Sequence, residues 1–347
     1  MRKIIGLSLL LLLLAACGRA APPDGPVTLR LMTHDSFDMR AETLAAFTAA
    51  TGIELEVFKA GDAGATLNKA ILTRDDPLAD VLFGVDNTFL SRALANDIFI
   101  PYASPLLAEI DDALELDPDH RALPVSFGDV CLNYDKAWFA ARELAPPAGL
   151  ADLVDPAYAN LTVVQNPATS SPGLAFLLAT VDTFGPDGYL DYWRRLVANG
   201  VMVTDGWSAA YYGAFTAASD GDRPIVVSYA SSPPAEVYFA AQPLSEAPTA
   251  AVVSDGSCFR QIEFVGILRG TPHAEAAQKL VDFMLSRPFQ EEIPLHMFVY
   301  PANTTAALPP VFVDHSQIPA NPAALDPQTI DANREAWINA WTTAVLR

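Results

Sequence analysis

Between Leu29 and Asp86 the chain switches hydrophobic period from one segment to the next, and that alternation admits few folds. LRLMT (29–33), with Leu31 and Met32 as core residues, reads as a strand, and AETLAAFTAATG (41–52) carries apolar residues at helical spacing up to a stop at Gly52. IELEVF (53–58) alternates as a strand, ATLNKAIL (65–72) reads as a helix, and DVLFGVD (80–86) as a buried strand running into a turn. A β-α-β-α-β order implies an α/β fold with a mostly parallel sheet covered by helices. Ligands on such sheets sit beyond the carboxyl ends of the strands. That rule singles out Thr33-His34-Asp35-Ser36, Gly61-Asp62 and Asp86-Asn87, each with an Asp. Solvated turn residues acting as local caps are the plainer alternative.

The middle of the chain repeats the architecture. NLTVVQN (160–166) is a strand, SPGLAFLLATV (171–181) a helix, VMVTDG (201–206) a strand that delivers Trp207, and IVVSYASSPP (225–234) a strand that delivers Ser228 to Pro234. CFRQIEFVGIL (258–268) returns as a strand, TPHAEAAQKLVDFMLS (271–286) is an amphipathic helix with Thr271 as N-cap, and DANREAWINAWTTAVL (331–346) closes the chain as a helix. Two lobes with a cleft between them follow, one built from 27–126 and 262–347, the other from 127–261. The hinge is expected near Phe127-Gly128-Asp129 and Gly256-Ser257-Cys258. Ser171 as N-cap with Pro172 at the first helical position is ordinary helix-start grammar. The same geometry leaves backbone N–H groups free for an anion or polar ligand.

The amino-terminal residues place the chain. Arg2 and Lys3 precede an apolar run, Ile4 to Leu14, too short to span a bilayer as a mature helix, so residues 1–16 read as a secretory signal. The Leu-Ala-Ala-Cys ending resembles the bacterial lipobox, which implies lipidation of Cys17, a proline-rich tether over 17–26 and a lipid anchor in a membrane. The body is then expected in the cell envelope, outside the cytoplasmic membrane, as a periplasmic or cell-surface lipoprotein. With 51% hydrophobic residues in a 347-residue chain, the body can bury large cores and fits two domains better than one. Loss of Arg2 and Lys3 with the signal takes the formal net charge from −20 to −22. Such a balance argues against nucleic acid and anionic lipid surfaces as partners and favours a cationic ligand, or serves solubility alone. Cys131 and Cys258 remain in a setting that permits a disulfide, with two buried free thiols as the other reading.

Familiar catalytic chemistry is missing from the sequence. It contains no Gly-x-Ser-x-Gly, His-Glu-x-x-His, P-loop or Gly-x-Gly-x-x-Gly, and its five histidines lack metal-ligand spacing. No catalytic residue, metal or cofactor is therefore expected. The strand ends instead offer Trp207 and Tyr229 as rings, with Asp35, Asp62 and Asp86 as carboxylates, which is equipment for holding a flat cation.

THDSF (33–37), DVLFGVDN (80–87), NPATSSPG (166–173), TDGWSAAY (204–211), VSYASSPP (227–234), FQEEIP (289–294), VYP (299–301) and EAWINAW (335–341) together make the chain resemble the substrate-binding component of a bacterial thiamine ABC transporter. The resemblance runs in the same order through nearly the whole mature chain. It implies a two-lobed type II periplasmic-binding-protein fold, each lobe a mostly parallel sheet flanked by helices, joined by crossover strands. It further implies a monomer that closes around thiamine or a thiamine phosphate and delivers it to a permease driven by an ATPase. Matched positions place Asp62 near the ligand's cationic part, Thr169 and Ser170 at its hydroxyethyl or phosphate end, and Trp207 and Tyr229 along the pocket, with Asp35, Ser36, Asp86 and Ser232 in matched segments.

The chain departs from that pattern at three places. His34 stands where the family has Tyr, Phe298 where it has Trp, and Ala235 where it has a further pocket Tyr that Tyr238 is near enough to replace. Iron(III)-binding proteins share the implied fold, and Tyr211-Tyr212 could supply phenolates to such an ion. On a helix, however, adjacent residues diverge by about 100°.

Overall fold

The computed structural model describes residues 27–347, so the signal, Cys17 and the tether lie outside the described residues. Eleven strands form one sheet: β1 (Thr28–Thr33), β2 (Glu54–Lys59), β3 (Val81–Asp86), β4 (Phe99–Ile100), β5 (Leu123–Asp135), β6 (Thr162–Gln165), β7 (Met202–Thr204), β8 (Ile225–Tyr229), β9 (Thr249–Val252), β10 (Phe259–Leu268) and β11 (Tyr300–Pro301). Their main order is β2-β1-β3-β10-β5-β8-β6-β7. β1 pairs in parallel with β2 and β3, and β6 in parallel with β7 and β8. Between these two parallel groups lie the long strands β5 and β10, antiparallel to each other and to their outer neighbours β8 and β3. The arrangement is the expected one of two mostly parallel groups joined by crossing strands, here continuous as one sheet.

Local sequence explains the helices of the first group. The Ala41–Thr51 helix ends at Gly52, whose φ of 70° is left-handed and whose N–H reaches Thr48 O at 2.8 Å, a closure that glycine makes without Cβ strain. Asp62 caps the Ala63–Leu72 helix by accepting from Ala63 N at 2.7 Å. All six residues of β3 are buried, as a continuous apolar run between two partner strands requires.

Three local expectations are corrected. Phe127, Gly128 and Asp129 pair with Ile262, Gln261 and Arg260, so the second crossing is β10 itself, and Gly256-Ser257-Cys258 form the turn leading into it. The central helix spans Ser171–Ala198 with Ser170, not Ser171, as N-cap; it bends at Gly185 (φ 75°, ψ 165°) before Pro186, which cannot donate an N–H to the preceding turn. The Ala274–Leu285 helix has His273 as N-cap, because the Thr271 hydroxyl instead donates to Asp80 and accepts from His273 N.

The core runs through both groups. Trp193, on the second half of the central helix, packs edge-on against Phe176 at 5.5 Å and Trp341 at 5.4 Å, and its Nε1 donates to Thr180 Oγ1 at 2.9 Å. Trp341 belongs to the closing Pro327–Val345 helix, which thereby packs on a helix of the 127–261 segment. A disulfide joins Cys131 of β5 to Cys258 just before β10, with Cα atoms 4.3 Å apart. Beside it Arg260 grips Asp129 bidentately, at 3.0 and 2.8 Å.

Candidate functional site

A cavity of about 320 Å³ opens between the two parallel groups, at the carboxyl ends of their strands. β1 delivers His34, Asp35 and Ser36, and the turn after β2 delivers Asp62. From the other side come Trp207 and Ser208 after β7, and Tyr229 and Ser232 from the end of β8. The segment before β11 adds Phe298. Of the eleven residues expected from sequence to bind the ligand, these eight (all but Ser208) line the cavity.

Asp86, Thr169 and Ser170 lie behind the wall. Asp86 is fully buried; one carboxylate oxygen accepts from Thr88 N, Thr88 Oγ1 and Phe89 N, and the other from Gln261 Nε2. Burial raises its pKa to about 6 in spite of those donors. Thr169 presents its carbonyl to Gly64 N and Ala65 N, not to the cavity. Ser170 is buried at the N-cap, while the next two residues, Ser171 and Pro172, reach the lining. The hydroxyls of Ser170 and Ser171 are buried, that of Ser171 beside the Asp86 carboxylate, whose charge it helps to stabilise.

A chain of polar groups forms the floor. Tyr229 OH donates to Gln261 Oε1 at 2.9 Å, and Gln261 in turn reaches Asp86. Glu263 Oε1 lies 3.2 Å from His34 Nε2, and its Oε2 accepts from Ser126 at 2.8 Å. Burial opposes both charges of this pair. Their mutual attraction wins, lifting the His34 pKa and lowering that of Glu263. Burial also raises Asp62, whose carboxylate accepts from Ala63 N and from Trp207 N at 2.9 Å.

The walls are aromatic. Trp207 stacks on Tyr211 at 4.8 Å and 21°, and its Nε1 donates to Ser228 Oγ, which is paired with Ser232 Oγ at 2.8 Å. Tyr211 donates to Glu236, whose pKa burial raises to about 7. Tyr212 meets Tyr211 edge-on, at 5.3 Å and 76°, and stands 56% exposed where Tyr211 is buried. Opposite, Phe298 has a φ of 52°, a strained value for a bulky residue, with its carbonyl held by the Ser231 hydroxyl at 2.7 Å. Its ring meets Phe239 at 5.6 Å.

Sequence reading missed Gln261, Glu263 and Phe239. The first two had a visible signal, polar residues two apart in the otherwise apolar run CFRQIEFVGIL, hence on one face of a strand. Phe239 follows Ala235 by one helical turn, and both line the cavity, whereas Tyr238 does not. Among the described residues no group of three or more His, Cys, Asp or Glu is placed to hold a metal ion.

Residues 76–333 match the family of bacterial extracellular solute-binding proteins. The thiamine-binding periplasmic protein of Escherichia coli K12 is 32% identical over 332 residues, covering 94% of this chain and 96% of the relative. That of Salmonella typhimurium is 31% identical over 335 residues, with the same coverage. A solved periplasmic thiamin binding protein superposes with a TM-score of 0.82 at 29% identity, covering 93% of this chain and 97% of that one. A ferric binding protein from Campylobacter jejuni, at 15% identity and a TM-score of 0.72 over 91% of this chain and 99% of that one, shares the fold.

Proposed function

The chain belongs to the bacterial extracellular solute-binding proteins, and on that premise we propose that it captures thiamine or a thiamine phosphate in the interlobe cavity and delivers it to an ABC permease with its ATPase. The observation that carries the ligand is one cavity combining aromatic walls (Trp207, Tyr229, Phe239, Phe298) with the carboxylates of Asp35, Asp38, Asp62 and Glu263, against which Lys59, His34 and His296 are the basic residues in the lining. A flat, positively charged ring satisfies both features at once, stacking on the rings while the carboxylates offset its charge.

The binding residues in this reading are His34, Asp35, Ser36, Asp62, Trp207, Tyr229, Ser232 and Phe298, with Asp86 supporting Tyr229 through Gln261. The ligand's hydroxyethyl or phosphate end goes to the start of the central helix at Ser171, with Thr169 and Ser170 shaping that end from behind the wall. The start of that helix, where Ser171 and Pro172 reach the lining, supports that orientation. The lobes are 27–126 with 262–347, and 127–261, and ligand contacts from both favour closure. The protein acts as a monomeric carrier, not an enzyme, exported by residues 1–16 and anchored through lipid on Cys17.

Calorimetric titration of the mature chain, stripped of ligand, tests this reading with thiamine, its mono- and diphosphate, the aminopyrimidine alcohol and iron(III). Tight binding of a thiamine form is expected, with no response to iron(III). Failure of all four organic ligands would overturn the substrate and leave the fold untouched.

A further inference from the structure

Two helices face each other across the cleft, and each has its first N–H groups satisfied by the opposite side. Gly64 N and Ala65 N, at the start of the Ala63–Leu72 helix, donate to Thr169 O at 3.1 and 3.3 Å. In return Trp207 N, which opens the Trp207–Tyr211 helix, donates to Asp62 Oδ2 at 2.9 Å. Asp62 Oδ1 meanwhile caps its own helix at Ala63 N, so one carboxylate joins both helix ends. Thr169 is itself fixed beside Trp207, because its hydroxyl donates to Asp205 O at 2.6 Å. Ser36 Oγ and Ser208 Oγ, 3.2 Å apart, add a third crossing.

The backbones approach this closely only because neither contact point has a side chain. A Cβ on Gly64 would lie 2.9 Å from Thr169 O and 3.0 Å from its carbonyl carbon, both backbone atoms that cannot turn aside. A Cβ on Gly206 would lie 2.8 Å from Asp62 Oδ2, the atom that accepts from Trp207. Gly206 has φ −163° and ψ 170°, ordinary extended backbone, so space rather than conformation demands glycine there.

We propose that these contacts form a clasp that holds the cleft shut, with Asp62 as a positioning residue acting through closure and Gly64 and Gly206 as the residues that let the lobes meet. Both oxygens of Asp62 are engaged by backbone N–H groups, one from each lobe, so its carboxylate joins the two helices while still lining the cavity. Selectivity then rests with the rest of the lining, while residence time rests with the clasp. The clasp belongs to the chain rather than to the ligand, so it is tested apart from the thiamine reading.

The test is amide hydrogen exchange on the full-length mature chain without ligand, in wild type, Asp62→Asn, Gly64→Ala and Gly206→Ala. The Trp207 and Ala65 amides should exchange at a common slow rate in wild type. Both should speed up together by about tenfold, the size of one lost charge-assisted contact, in Asp62→Asn and in Gly206→Ala, the second of which directly touches only the Trp207 side. An unchanged Leu82 amide in buried β3 reports an intact fold, and Asp62→Asn, which adds no volume, stands if a glycine variant does not fold. Fast exchange at both amides in wild type, or acceleration at Trp207 alone, would overturn the clasp. In a second arm, thiamine should dissociate about tenfold faster from Gly64→Ala with the order of thiamine and its phosphates unchanged. A wild-type dissociation rate in Gly64→Ala would also overturn it, whereas absence of thiamine binding to wild type would remove the ligand reading and leave the exchange result to decide.

Discussion

Phe239 shows what a residue-level reading of sequence can and cannot reach. Ala235, with no ring of its own, points to a neighbour as replacement, and sequence proximity favours Tyr238; the structure instead puts Phe239 in the lining, since its N–H bonds Ala235 O and the two share a helix face. Phe239 is 66% exposed yet touches Phe298, while Tyr238, 48% exposed, lies outside the cavity. Phe239→Ala should therefore weaken thiamine binding by about fivefold to tenfold, roughly 1 kcal/mol for one aromatic contact, and Tyr238→Ala by less than twofold in the same titration. The reverse ranking would return the role to Tyr238. Asp86 teaches the complementary lesson. The strand-end rule found it, but whether a carboxylate faces ligand or its own turn depends on the backbone donors of Thr88 and Phe89, which sequence does not locate.

At the scale of elements, periodicity found most of the sheet and its helices, because each segment's apolar period is set by the face it buries. The central helix was legible only from 171 to 181. Gly185-Pro186 reads as a stop, yet the chain resumes its helix beyond the bend because Tyr189, Tyr192, Trp193 and Leu196 are drawn into the core. Two of this helix's three glycines, Gly185 and Gly188, should then respond oppositely to alanine. Gly185 has open space around its Cβ position but a left-handed φ of 75°, so Gly185→Ala should cost about 1 kcal/mol of backbone strain. Gly188 sits in helical backbone with its nearest obstacle at 3.6 Å, so Gly188→Ala should stabilise by about 0.5–1 kcal/mol. Urea titrations of the two variants check the pair, and a stabilising Gly185→Ala would contradict the bend.

For the molecule as a whole, the disulfide and the Arg260–Asp129 pair fasten β5 to β10 beside the second parallel group, so any bending between lobes must fall nearer Phe127 and Ile262. Folding carries an electrostatic cost as well, because this acidic chain buries carboxylates. Burial raises Glu236 from 4.5 to about 7 and Asp86 from 3.8 to about 6. The folded state thus holds protons that the unfolded chain has released between about pH 4 and 7, and stability must fall as pH rises through that window, by on the order of 3 kcal/mol per group. His34 acts in the same sense, since the stability from its raised pKa is lost as pH rises through that value. Glu263, Asp117 and Glu291, all held low, act oppositely, and their contribution is lost only as pH falls below the ordinary carboxylate range. These windows place maximum stability on the acid side of neutral. Thermal melts should give a higher Tm at pH 5.5 than at 7.5, and Glu236→Gln, which can still accept from Tyr211 without ionising, should narrow that gap by raising the value at pH 7.5. A Tm that climbs from 5.5 to 7.5 would mean that Glu236 and Asp86 are ionised at little cost, and hence that water reaches the space behind the Trp207–Tyr211 wall.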